Sequence, residues 1–189
     1  MNAVTALRTP AKLGLRVEDY LLIAKTGAFE AHGKTELIEG DVYAMNAQYS
    51  GHARIKTRLA TRINAALTAA GLPLEALVEV SVQLSDDTMP EPDISVTSYT
   101  GNDPVPLDQL ILVVEVSDTT LAIDLGRKRS LYARAGVPEY WVVDVEGGTI
   151  HQMWAPSGAD FGETRVISFG KPIAATTLTG VEVETGRLN

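Results

Sequence analysis

Two carboxylates in apolar surroundings and one lysine are the residues whose types and spacing could do chemistry. Asp93 lies in Glu91-Pro92-Asp93-Ile94-Ser95-Val96, and Glu115 lies in Leu112-Val113-Val114-Glu115-Val116-Ser117. Burying an ionised carboxylate without a partner is expensive, so each acid needs a reason for its place. A divalent cation between the two would supply one, because like charges that close resist joint ionisation unless a cation binds. Hard ions such as Mg²⁺ or Mn²⁺ suit an oxygen-only environment. Such an ion can polarise a phosphoryl group and ionise water. Lys128, in Asp124-Leu125-Gly126-Arg127-Lys128, could orient the water or neutralise developing charge. These are the parts of a metal-dependent phosphodiesterase, with water as the nucleophile.

The acids can meet only if the chain places them on neighbouring strands with matching faces. Side chains alternate along a strand, so Asp93 and Ser95 share one face, and Glu115 shares a face with Val113. The acids are 22 positions apart, and the stretch between them holds Gly101, Pro104 and Pro106, enough for a loop and the climb of the next strand. Leu110 to Val116 is a nearly continuous apolar run, as in a central strand covered on both faces. Asp118, Thr119 or Thr120 can cap a helix that carries Lys128 to Ala135, ended by Gly136 and Pro138. Glu139 to Val145 then reads as a strand, turned by Gly147-Gly148 into Thr149 to Trp154, with an edge strand over 163–168.

Upstream, residues 1–15 read as a loose lead-in and Val17 to Ala28 as a helix. Glu36 to Met45 reads as a hairpin turning at Glu39-Gly40-Asp41. Ser50 is placed to cap a helix reaching Ala70, with Ile55, Leu59, Ile63 and Leu67 on its apolar face. Leu77 to Leu84 alternates as one strand, with Val78, Val80, Val82 and Leu84 on one side. The tail beyond Lys171 is weakly patterned. The order predicts one α/β domain over residues 1–189: a mixed β-sheet flanked by helices, with one parallel β-α-β crossover and antiparallel hairpins elsewhere.

Composition narrows the function. The chain has 189 residues, 45% of them hydrophobic, which suits one globular domain with a sizeable core. It has no cysteine, which excludes disulfides, thiolate metal sites and cysteine nucleophiles and agrees with a cytoplasmic location. No stretch approaches a membrane span. His32, His52 and His151 lack zinc-type spacing, and there is no Gly-x-Ser-x-Gly. The net charge of −8 weighs against general nucleic-acid binding. Local stripes weigh the other way. Arg54, Arg58 and Arg62 repeat every four residues on one helix, either as a solvated face or as a phosphate-tracking ridge. Arg127, Arg129 and Arg134 form a second cluster. His52 reads as a hydrogen-bonding histidine in the first helical turn, supporting rather than ligating.

Several elements together resemble a known family: Glu36-Leu-Ile-Glu-Gly40, Gly51-His52, Pro92-Asp93, Val114-Glu115-Val116-Ser117, and the run from Asp124 through Lys128 and Tyr132 to Glu139-Tyr-Trp-Val-Val-Asp144. They are similar to the Uma-type restriction-endonuclease family of the PD-(D/E)XK nucleases, over roughly Val17 to Trp154. The last run is the most specific part. The resemblance implies a restriction-endonuclease-like fold and a Mg²⁺ or Mn²⁺ ion at Asp93 and Glu115. It also implies endonuclease action on nucleic acid, with DNA and a homodimer as the expected partners. The lysine usually found two residues after the glutamate is Ser117 here, and Lys128 takes the place of a lysine moved to the helix. Glu36 would complete or tune the metal shell. Two other readings compete: a nuclease-fold binding module without turnover, and a metal-dependent hydrolase of small phosphoesters.

Overall fold

A computed structural model describes residues 11–45 and 48–188. The first helix, α1 (Val17–Lys25), buries Val17 and Tyr20. The hairpin of β1 (Thr35–Ile38) and β2 (Asp41–Ala44) pairs Glu36 with Tyr43 across the strands. Its two turn residues, Glu39 and Gly40, both have positive φ, the twist a two-residue hairpin favours. Gly40 is also sterically required, because a Cβ there would lie 2.9 Å from the Gly14 backbone. Residues 1–10 of the expected lead-in lie outside the described residues.

Helix α2 (Ser50–Ala69) follows, and the described apolar stripe of Ile55, Leu59, Ile63 and Leu67 is its buried face. Ser50 is not its cap. Tyr49 holds the extended N-cap conformation, and Ser50 is the first helical residue. The strand expected over Leu77 to Leu84 is also corrected. β3 (Glu75–Val78) stops at Glu79, whose φ of +53° reverses the chain, and β4 (Val82–Gln83) resumes beyond it. Ala76 is therefore the buried residue of β3, and Val78 is exposed. The break has a tertiary cause: the Glu79 carboxylate turns to meet both Lys34 and Lys56.

Next come β5 (Ile94–Thr97), β6 (Val105–Pro106) and β7 (Leu110–Ser117). The helix from residue 121 to 135, α3, is built of Leu121–Ile123, a π-turn at Asp124–Lys128, and Arg129–Ala135. It ends at Gly136 in the left-handed conformation. β8 (Glu139–Asp144), β9 (Thr149–Ser157) and β10 (Asp160–Ser168) complete the main sheet. In the tail, the short strands β11 (Ile173–Ala174) and β12 (Glu182–Val183) pair with each other.

The main sheet is mixed and six-stranded, in the order β10-β9-β8-β7-β5-β3. Only β7 and β8 run parallel within it, joined by α3 as expected of a crossover. A small parallel pair of β4 and β6 lies outside it. One face, with Ile94, Val96, Leu112, Val114, Val116 and Trp141, packs under α2 and the tail. The other face, with Val113, Tyr140, Val142 and Met153, packs under α3. The tail is more ordered than its pattern predicts, since Ile173, Leu178, Val181, Val183 and Leu188 are all buried. No helix among the described residues is long and apolar enough to cross a membrane.

Candidate active site

β5 and β7 are antiparallel neighbours, with Ile94 opposite Val114 and Ser95 opposite Val113. Extending that register by one residue sets Asp93 opposite Glu115. Both acids fall on the α3 face of the sheet and line one cleft of about 760 Å³, together with Glu36, His52 and Lys128. Glu36, Asp93, Glu115 and the nearby Asp124 are all buried.

Asp93 and Glu115 have separate cationic escorts. Lys128 Nζ donates to Glu115 Oε1 at 2.9 Å, and the Tyr132 hydroxyl donates to the same oxygen at 2.8 Å. Asp93 Oδ2 accepts the Val116 N–H at 2.8 Å and lies 3.2 Å from His52 Nε2. Its Oδ1 faces Gln48 Nε2 at 3.3 Å and Lys56 Nζ at 3.4 Å. Glu36 Oε1 accepts the Glu91 N–H at 3.0 Å, which ties the hairpin to the segment before β5. Asp124 accepts the hydroxyls of Ser117 and Thr120 at 2.6 Å each.

Burial and crowding set the charges. Glu115 is pushed up to about 8, chiefly by burial. Lys128 pulls it down, but Asp93, Asp124 and Glu36 add to the rise. Burial alone would lower Lys128, but Glu115, Glu36 and Asp124 outweigh it and hold the ammonium charged. Burial also pushes Asp93 up, and there His52, the Val116 N–H and Lys56 win, so its carboxyl lies below the usual range. His52 is the converse: burial lowers it, Asp93 raises it more, and the net is upward. Glu36 rises through burial, against the pull of Lys128.

The donor set fits a hard divalent cation. Two carboxylates of opposed pKa tendency share one pocket, and buried acids there outnumber buried cations. Among the described residues no three acidic or histidine side chains gather into a ready-made cage. A cation would therefore take its other ligands from water and substrate, as Mg²⁺ usually does.

Two residues of this site escape the sequence reading as functional candidates. Lys56 is buried and reaches Asp93, Glu79 and Gln48. Its signal was a lysine four residues after His52 within the apolar stripe of α2. Tyr132 lies four residues after Lys128, on the same side of α3. The arginine stripe is placed differently from the acids. Arg58 donates to the carbonyls of Arg187 and Leu188, and Arg62 to that of Glu184, so both are turned toward the tail. Arg54 is exposed. In the second cluster, Arg129 meets Asp160, and Arg127 and Arg134 meet Glu39.

The fold is an α/β architecture, a mixed six-stranded sheet flanked by helices, and it brings two acids and a helix-borne lysine to one cleft. Residues 17–185 match the Uma2 family, described as "Putative restriction endonuclease", and the chain belongs to that family. A solved structure of a "putative nuclease belonging to DUF820" from Anabaena variabilis is similar in fold, with a TM-score of 0.63. The two are 18% identical, over 85% of this chain and 89% of that one. No curated protein matches the chain. Family and fold together support a nuclease.

Proposed function

We propose that this chain is a metal-dependent endonuclease that hydrolyses phosphodiester bonds of nucleic acid, with DNA as the substrate. The observation that carries the reading is the cross-strand placement of Asp93 and Glu115 in one cleft, with Lys128 Nζ 2.9 Å from Glu115. Asp93 and Glu115 would hold Mg²⁺ or Mn²⁺, with Glu36 tuning their charge. When bound, the ion would lend Lewis acidity to the phosphoryl group and to water. Lys128 keeps its proton and offers positive charge where negative charge builds on the phosphate. Tyr132 and Lys128 fix the orientation of the Glu115 carboxylate. His52, Lys56 and the Val116 N–H do the same for Asp93. Arg54, at the exposed end of its stripe, is offered as a phosphate contact; Arg58 and Arg62 would track phosphate only by releasing tail carbonyls. A homodimer would let two sites meet two strands.

Titration of Mg²⁺ by calorimetry tests the reading. Binding is expected for the native chain and not for Asp93→Asn or Glu115→Gln. Plasmid cleavage should fall about a hundredfold or more in either variant and in Lys128→Ala. Micromolar affinity retained by both acid variants would remove these residues from the metal site. A second reading, a nuclease fold without turnover, is favoured by the four donors already around Asp93. It predicts no cleavage at any Mg²⁺ or Mn²⁺ concentration. Cleavage of nucleotide phosphoesters but of neither plasmid nor single-stranded DNA would point to a small-phosphoester hydrolase.

A further inference from the structure

The described residues include eight large apolar or aromatic side chains that stand exposed, and four of them line the acid-bearing cleft: Tyr43, Met45, Tyr49 and Ile123. Scattered exposed apolar residues are ordinary, but their collection around one acid-bearing cleft marks a binding surface. Three of them stand close in the chain or the hairpin to a site residue. Tyr43 lies directly across the hairpin from Glu36. Tyr49 caps α2 three residues before His52 and is 76% exposed. Ile123 immediately precedes Asp124 in α3. Arg127 Cζ lies 4.8 Å from the Tyr43 ring centroid, a cation over an aromatic face.

Flat aromatic rings beside a guanidinium, at the mouth of a site built for phosphodiesters, match the chemistry of a base attached to its phosphate. Bases stack on aromatic side chains without regard to sequence once they are unpaired. A cleft of about 760 Å³ is also on the scale that encloses a small ligand rather than a length of double helix. We propose that the cleft takes an unpaired strand, with Tyr43 and Tyr49 as stacking platforms that seat a nucleotide base next to the acids. The inference rests on the nuclease reading and narrows its substrate to single-stranded or unpaired nucleic acid.

The test measures binding and cutting separately. A fluorescein-labelled oligothymidine strand and a duplex of the same length are titrated with the full chain, with Ca²⁺ present, and followed by anisotropy. The single strand should bind about tenfold more tightly. Tyr43→Ala and Tyr49→Ala should each weaken single-strand binding by about fivefold or more, while Tyr43→Phe should retain it. Tyr49→Trp keeps a stacking ring and should show indole quenching by the strand beyond that of the native chain. Equal affinity for duplex and single strand, or full affinity in both alanine variants, overturns the inference. Cleavage then separates the two readings. Equal cutting of single-stranded and duplex circles sinks the single-strand preference and leaves a nuclease. Tyrosine-dependent single-strand binding without cutting upholds the platform and sinks the nuclease.

Discussion

Glu115 shows how one residue couples stability to the proposed chemistry. Burial and three neighbouring acids raise its pKa from 4.5 to about 8, so between those values the folded protein holds a proton that the unfolded chain has released. Stability must then fall as pH rises through that window. His52, also raised when folded, acts in the same direction above its ordinary value of 6.5. Asp93 works oppositely at low pH: its carboxyl is held down, so its contribution is lost on acidification below 3.8. In chelator, the melting temperature should therefore drop between about pH 5 and about pH 8. Glu115→Gln should flatten most of that slope, and Mg²⁺ should offset it by taking the proton's place. A melting temperature indifferent to pH in chelator would contradict the crowded-acid description. Asp93 and Glu115 were legible in the sequence because a charge inside an apolar strand is conspicuous. Lys56 was less so, because a long side chain on a helix usually reaches solvent, and only its tertiary partners reveal that it turns inward.

At the scale of elements, α3 decides whether the lysine reaches the acid. Its π-turn at Asp124–Lys128 adds one residue to a helical turn, a feature frequent at functional sites. The freed geometry is held from outside, since the Tyr140 hydroxyl donates to the Asp124 carbonyl at 3.1 Å. Lys128 at the end of the turn and Tyr132 beyond it both donate to Glu115 Oε1. Deleting Gly126 should restore a plain helix and rotate Lys128 and Tyr132 by roughly 100° relative to Asp124. Helical circular dichroism should survive, while cleavage should fall about a hundredfold or more. Gly126→Ala is the control. Nothing lies within 4 Å of its added Cβ, so activity should persist. Full activity in the deletion variant would mean that the π-turn does not position Lys128. The apolar run of β7 and the helical span of α3 could be read from periodicity, since each follows a local rule. The π-turn and the break at Glu79 could not. The same residues fit an ordinary helix or strand, and only contacts with Tyr140, Lys34 and Lys56 select the departure.

At the scale of the molecule, the weakly patterned tail is held by one buried acid remote in sequence. Glu139, fully buried at the start of β8, lies on the face opposite Glu115. Its Oε1 accepts Trp141 Nε1 at 2.7 Å and Gln152 Nε2 at 2.5 Å. Its Oε2 accepts the backbone N–H and hydroxyl groups of Thr176 and Thr177, at 2.7–2.9 Å. Arg58 and Arg62 on α2 fasten the same tail further along. A carboxylate surrounded by six donors needs no cation, which separates it chemically from the acids on the other face. Removing it strands buried donors, each costing about 1–3 kcal/mol. Glu139→Ala should thus destabilise the fold by on the order of 3 kcal/mol or more and lower its urea midpoint. Protease should cut the tail before the sheet unfolds, whereas Mg²⁺ affinity of the remaining folded protein should be unchanged. An unaltered urea midpoint would show that Glu139 does not hold the tail, and lost Mg²⁺ affinity in the folded variant would show that the two faces are not independent.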